Sequence, residues 1–263
     1  MDLTGLTLED LGRAGFKMYQ QKEGFRFGTD SVLLAWFAAS FVRENRPVRA
    51  LELGSGCGGA SLCLAARKSG VSIDACEIME RPWEVLLENI RINGLGDRMR
   101  AFNTDIRDLP QEVRSLQYDI VFMNPPFFTR ERGPAAKNSG DGERLAGRFE
   151  ENGTLSDFVS VAASRVIQSS GYIIMVMHGD RLADVMEVFS KNRIKPVRLL
   201  SVHPFEDRNA AIFLIAGKKG ASGTDMKILP PLIINGRGEG GEVVLTDRIR
   251  RIYEEEHEDC FIW

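Results

Sequence analysis

VRALELGSGCGG, residues 48 to 59, is the stretch on which the reading of this chain turns. Val48 to Leu53 is the short apolar run of a buried strand. The glycines that follow, Gly54, Gly56, Gly58 and Gly59, permit a tight strand-to-helix turn and let a ligand approach the backbone closely. GASLCLAARKSG (59–70) then has helical spacing and a closing glycine at Gly70. Taken alone, a G-x-G-x-x-G turn also suits NAD or FAD, so its neighbours have to decide between ligands.

Working outward, the same alternation continues. SIDACEI (72–78) reads as a second strand, with a helix from about Arg81 to Asn93. MRAFNTD (99–105), YDIVFMN (118–124) and GYIIMVMH (171–178) read as the third, fourth and fifth strands. VRLLSVHP (197–204) and AAIFLIAGKK (210–219), parted by FEDRN, form a closing antiparallel pair. Strands alternating with helices predict an α/β fold: a mainly parallel seven-stranded sheet with an antiparallel closing strand and helices on both faces. Upstream, residues 16–28 (FKMYQQKEGFRFG) alternate around Glu23-Gly24 as a short hairpin. Thr29-Asp30 stands as the N-cap of a helix over 31–45. Two Gly-rich stretches, 129–153 and 219–242, interrupt the rhythm. TDRIRRIYEEEHED (246–259) predicts a short terminal helix. We read one domain over 1–263, with an N-terminal hairpin-and-helix extension (1–47), a core (48–218) and a C-terminal extension (219–263).

Three carboxylates sharpen the ligand. Glu52 stands at the end of the first strand, where it suits a cationic ligand and repels a pyrophosphate. Glu77 ends the second strand and is placed to accept from both ribose hydroxyls. Asp105 ends the third and can accept from an adenine amino group. With Gly54, Ser55, Gly56, Thr29 and Asp30 they make the expected cofactor site for S-adenosylmethionine (SAM), whose sulfonium and ammonium carry positive charge.

Asn124-Pro125-Pro126-Phe127 follows the fourth strand directly. Two prolines remove two backbone N–H groups and leave carbonyls free to accept. The Asn124 side-chain oxygen and the Pro125 carbonyl can together accept both hydrogens of one NH2 group, while Phe127 offers a face for a flat base. Such an amino group is a poor nucleophile because its lone pair is delocalised. Preset acceptors favour a more tetrahedral nitrogen in line with a sulfonium methyl. These four residues are the candidate catalytic element.

E-L-G-S-G-C-G with N-P-P-F resembles the Rossmann-like class I methyltransferases that modify amino groups. FRFGTDSVLLA (25–35), N-P-P-F-F and TDRIRRIY (246–253) resemble the bacterial tRNA adenine-N6 methyltransferases acting on valine tRNA, over most of the chain. The resemblance implies methylation of adenine 37, with Gly54 and Gly56 lining the cofactor, Glu77 on its ribose, Asp105 on its adenine and Asn124 to Phe127 on the target base. Phe127 stands where the family commonly has Tyr. The family's Ala-Arg-His-Glu run corresponds here to Ala146-Gly147-Arg148-Phe149-Glu150, without histidine. Other readings of the same element are transfer to a release-factor glutamine or to a ribosomal guanine. From a different class, an NAD-dependent oxidoreductase shares the glycines.

A net charge of −3 carries no global nucleic-acid signature, so RNA contacts need a local basic surface. Lys17, Lys22 and Arg26 lie among aromatics near the hairpin; Arg130 and Arg132 lie in a loop whose charges cancel. His178 and His203 are read as structural. Cys57, Cys63, Cys76 and Cys260 form no C-x-x-C pair, so reduced thiols and no metal site are expected. MDLTGLTLED lacks a signal-peptide pattern and no apolar run is long enough to span a bilayer, which predicts a cytoplasmic protein.

Overall fold

The computed structural model describes residues 3–22, 28–126, 153–221, 223 and 225–254. The chain starts with an antiparallel pair, β1 (Leu6–Asp10) and β2 (Lys17–Gln21), in register from Leu6 opposite Gln21 to Asp10 opposite Lys17. The partner of β2 is thus the strand before it. LTLED is itself a period-2 run, and Gly12, Ala14 and Gly15 take positive φ in the turn that follows it. The turn predicted at Glu23-Gly24 lies outside the described residues.

Helix α1 (Thr29–Ala39) begins behind Gly28, one residue earlier than the Thr29-Asp30 cap predicted, and no side chain caps it. Every residue from Ser31 to Ala39 is buried. The helix ends well short of Asn45: the N–H groups of Ser40, Phe41 and Val42 donate three residues back, to the Phe37, Ala38 and Ala39 carbonyls, in a tightened last turn. Next come β3 (Val48–Leu53), α2 (Gly59–Arg67), β4 (Val71–Glu77), α3 (Glu80–Ile92) and β5 (Met99–Asn103). Helix α2 stops before Gly70, since Lys68 is already extended and the Gly70 carbonyl accepts from Val48 N–H at the head of β3. The one-turn helix α4 (Gln111–Arg114), β6 (Ile120–Met123), α5 (Leu155–Arg165), β7 (Tyr172–His178) and α6 (Leu182–Lys191) follow, then the long pair β8 (Ile194–His203) and β9 (Ile212–Lys219).

The seven predicted strands lie in the order β8-β9-β7-β6-β3-β4-β5. Strands β3 to β7 run parallel, and β9 runs antiparallel between β7 and β8. The sheet is wider than expected. Two short strands from the Gly-rich C-terminal stretch, β10 (Lys227–Ile228) and β11 (Leu232–Ile233), pair parallel with the outer edge of β8 and bring it to nine. A separate hairpin, β12 (Asn235–Arg237) with β13 (Val243–Leu245), leads to α7 (Asp247–Tyr253), whose N-cap Thr246 accepts from Ile249 N–H.

Two cores sandwich the sheet. Helices α1, α2, α3 and α7 pack one face, while α5 and α6 pack the other. Helix α5 has a complete capping box, Thr154 and Asp157, just after the long Gly-rich stretch. From β3 the chain moves outward one way to β4 and β5, then returns to β6 on the other side. That reversal opens a crevice at the carboxyl ends of β3 and β6.

The N-terminal pair is fastened to this frame by two amides of α3. Asn89, fully buried, accepts from Tyr19 N–H at 2.6 Å and donates to the Tyr19 and Cys57 carbonyls, both at 2.9 Å. Asn93 repeats the pattern one turn on, accepting from Lys17 N–H and donating to its carbonyl. Together they stand in for a neighbouring strand. Asn89→Ala leaves three backbone groups without partners; we expect a loss of about 2–4 kcal/mol in urea denaturation. A loss below about 0.5 kcal/mol would show that the hairpin is held by other means.

Candidate active site

A cleft of about 410 Å³ opens where β3, β4 and β6 end. Its floor is the glycine turn. Gly54 and Ser55 N–H both donate to the Cys76 carbonyl, at 2.9 and 3.0 Å, which bends the chain sharply off β3. Gly56 has φ +54 and no atom within 4 Å of where a Cβ would stand, so its backbone faces open cleft. Gly58 has a different need. A Cβ there would come within 2.4 Å of Leu86 Cδ1, so its absence lets α2 and α3 pack together.

The two strand-end glutamates hold this region from below, Glu77 at the turn and Glu52 at the helix that follows it. Glu77 accepts from Gly56 N–H at 2.7 Å through one carboxylate oxygen and from Met79 N–H at 2.9 Å through the other. Burial raises its pKa while those N–H groups oppose the rise. Glu52 accepts through one oxygen from both the amide and the hydroxyl of Ser61, in the first turn of α2. Burial pushes Glu52 up to about 8 against the pull of Ser61. Both glutamates line the cleft. A cation entering beside them would be favoured and a pyrophosphate opposed.

Asn124 closes the far wall with Pro126, while Pro125 between them is buried. Among the described residues neither Asn124 Oδ1 nor Nδ2 finds a hydrogen-bond partner, both atoms are buried, and the Ser55 hydroxyl is in the same condition. Buried polar groups left so are rare unless a ligand or water completes them. All three atoms belong to residues of the cleft wall.

Other predicted positions sit differently. The Asp105 carboxylate caps the turn after β5 and is bound by Arg107 through its backbone N–H and its guanidinium, which lowers its pKa. Its neighbour Ile106, not Asp105, lines the cleft. Thr29 Oγ1 receives the Tyr253 hydroxyl at 3.2 Å, and Ser31 is the α1 residue that lines the cleft. The Asp30 carboxyl is raised by burial, with the charge of His178 acting the other way. His203 spends both ring nitrogens on Arg208 O and Ser201 Oγ, in keeping with a structural role. Lys17 and Lys22 are exposed at the two ends of β2. Phe127, Arg26, Arg130, Arg132, Cys260 and the 146–150 run lie outside the described residues.

The sequence reading passed over Met18, Gln20, Ile78 and Phe158, which also line the cleft. The alternation of β2 carried a signal for the first two: Met18 and Gln20 point inward while Lys17 is exposed. Among the described residues no group of three or more His, Cys, Asp or Glu could hold a metal, and no helix is long and apolar enough to cross a membrane.

The family profile described as methyltransferase small domain matches residues 28–137, the stretch that carries α1, the glycine turn, both glutamates and Asn124. Over residues 28–137 the chain is thus similar to a methyltransferase domain. The chain is 27% identical over 188 residues to the tRNA1(Val) (adenine(37)-N6)-methyltransferase of Christiangramia forsetii, covering 71% of this chain and 75% of that one. It is 28% identical over 189 residues to the protein of the same name in Porphyromonas gingivalis, covering 71% and 72%. In fold it is similar to a predicted O-methyltransferase from Agrobacterium tumefaciens, with a TM-score of 0.64 and 18% identity over 86% of this chain and 95% of that one. The chain therefore has the Rossmann-like architecture of the class I methyltransferases, and the cleft lies at the crevice expected of that fold.

Glu52 makes the domain's stability depend on pH with a definite sign. An acid raised in the fold keeps its proton there after the unfolded chain has lost it, so stability falls as pH rises from about 4.5 to about 8. Glu52→Gln removes this contribution. The variant's stability relative to the parent should rise steadily between pH 5 and pH 8 in urea titrations, and a flat difference would place the carboxylate's titration elsewhere.

Proposed function

We propose that this chain transfers the methyl group of SAM to the exocyclic amino group of an adenine in RNA, adenine 37 of a valine tRNA being the substrate named by its relatives. The observation that carries the reading is the unpartnered amide of Asn124 in the wall of the cleft.

SAM, when bound, supplies an electrophilic methyl group on a sulfonium. The chain's own residues do the rest. Gly56 leaves room for the ligand against the backbone, and the remaining lone pairs of Glu77 are available to ribose hydroxyls. Ile78 and Ile106 offer apolar walls for a flat purine, and Ser55 Oγ offers a hydrogen-bonding group without another task. Glu52 places negative charge near the cationic end and loses its own proton more readily once a cation is beside it.

On the acceptor side, Asn124 Oδ1 accepts one hydrogen of the target amine and the Pro125 carbonyl the other. Held this way, the nitrogen presents its lone pair along the axis of displacement, and the developing positive charge meets oxygens already in place. The methylated nitrogen is acidic and sheds its proton to solvent, so no strong base is needed. The RNA must deliver an unstacked adenine to this wall, at a cost of a few kcal/mol. Lys17 at the start of β2 and Lys22 just after its end, both exposed, are the described candidates for its nearest phosphates.

Asn124→Ala should lower methyl transfer to tRNA by on the order of 10²–10³-fold with SAM affinity kept, as read by radiolabelled transfer and calorimetry. Transfer near the parent rate would remove Asn124 from the chemistry. Incubation of the parent protein with total RNA and labelled SAM, followed by nucleoside mapping, should yield N6-methyladenosine in tRNA. Label in protein, or in guanosine, would replace the proposed substrate. A third arm addresses the cofactor pocket. SAM binding to the parent should strengthen as pH rises through about 8, where Glu52 ionises, and Glu52→Gln should abolish that dependence.

A further inference from the structure

Away from the cleft, one face of the sheet edge gathers cations. Lys195 on β8 lies directly opposite Lys218 on β9, and Arg198 on β8 lies opposite Lys227 on β10. These registers put the four side chains on the face that α1 covers further along, where Leu200, Leu214 and Ala216 enter the core. Two of the four are pinned. Arg198 lies 4.7 Å above the Phe41 ring and Lys218 lies 4.4 Å from the centre of the Tyr172 ring, while the two rings are 4.5 Å apart. The cations are therefore held close together at fixed positions by aromatic faces.

Like charges set opposite each other on adjacent strands destabilise a sheet unless something compensates. Lys195, Lys218 and Lys227 find no carboxylate among the described residues. Glu44, near the end of α1, is engaged by Lys68, and Glu187 on α6 is engaged by Lys191. Asp225 is the acid closest in sequence to Lys227 and forms no ion pair among the described residues. In a chain of net charge −3, this is a local positive surface of the kind a polyanion requires.

Its position relative to the cleft indicates which polyanion. Asn124 follows Met123, which is level with Met175, Ile215 and Leu199 across the sheet. Lys195 thus lies three strands across and five residues back, roughly 20 Å away. A free nucleotide cannot span that distance, and a folded RNA can.

We infer that Lys195, Arg198, Lys218 and Lys227 form a second RNA contact, which holds phosphodiesters of the molecule whose adenine enters the cleft. The inference rests on the RNA reading above and adds a surface outside the matched methyltransferase domain. It accounts for recognition of a folded RNA by a protein whose overall charge is negative, since each phosphate neutralised releases counterions and strengthens binding.

The test is the double substitution Lys195→Glu with Lys227→Glu, which leaves both ring contacts in place. Binding of a full-length valine tRNA transcript is measured by fluorescence anisotropy over a salt series. We expect affinity to fall on the order of tenfold or more at moderate salt, and the log–log salt slope to shrink by about two. SAM affinity should be unchanged, and the thermal midpoint should hold or rise, since each glutamate now faces a cation. Lys195→Gln with Lys227→Gln, which cannot introduce repulsion, should show the same direction with a smaller loss and serves as the measurement if the first variant misfolds. An unchanged slope in both variants, with the parent still binding and methylating the tRNA, overturns this inference alone. If the parent protein transfers no methyl group to any RNA, the RNA reading falls and this contact falls with it.

Discussion

The cleft depends on two buried acids at adjacent strand ends, one holding the glycine turn and the other the helix that leaves it. Glu77 takes the Gly56 amide at 2.7 Å and the Met79 amide at 2.9 Å, while Glu52 takes the amide and hydroxyl of Ser61. Burying acids on adjacent strands is costly, and each of them titrates upward for that reason. The backbone N–H groups offset part of the cost, and in exchange they lose the freedom to point elsewhere. The turn is shaped before any ligand arrives, and the carboxyl groups beneath it favour an incoming cation over a pyrophosphate. One arrangement thus supplies both the geometry and the charge preference of the cleft.

Around that floor the walls come from distant parts of the chain. Strand β2 contributes Met18 and Gln20, α1 contributes Ser31, and the end of β6 contributes Asn124. Asn89 connects two of these regions physically, because its one side-chain nitrogen bonds both the Tyr19 carbonyl of the hairpin and the Cys57 carbonyl of the glycine turn. A polar side chain with no exposed surface and three backbone partners is well placed to transmit a shift of the hairpin to the cofactor floor.

How much of this was legible in the sequence differs by element. Continuous apolar runs such as VRALEL and YIIMVM mark buried strands because both of their faces are covered, and each was found at its place in the sheet. The short β10 and β11 could not be read, since two-residue strands have no period and the Gly-rich context argues for loop. Helix α1 was placed too long because it is apolar all round, so periodicity gave no edge at which to stop it. At the site, Glu52, Glu77 and the glycines were legible from strand-end position. Asp105 was legible as a strand-end acid, but its capture by Arg107, two residues on, depends on a local turn that no spacing rule announces. Ser31 and Phe158 reach the cleft only through tertiary packing, and Asn89 works through backbone groups far along the chain, so neither kind of role leaves a local motif.

The two ends of the described chain meet at the helix that opens the matched domain. Tyr253 in α7 donates to Thr29, Arg13 donates to the Glu254 carbonyl, and Arg67 donates to the Ile252 carbonyl, across separations of 224, 241 and 185 residues. During synthesis β3, β4 and β5 can pair in turn as they emerge, and β6 then returns to the free edge of β3. The start of α1 has to wait for α7, more than 200 residues later, to emerge. Until then the cleft lacks a fixed rim on that side, so a chain still short of this helix would carry Asn124 at the end of β6 without that rim above it.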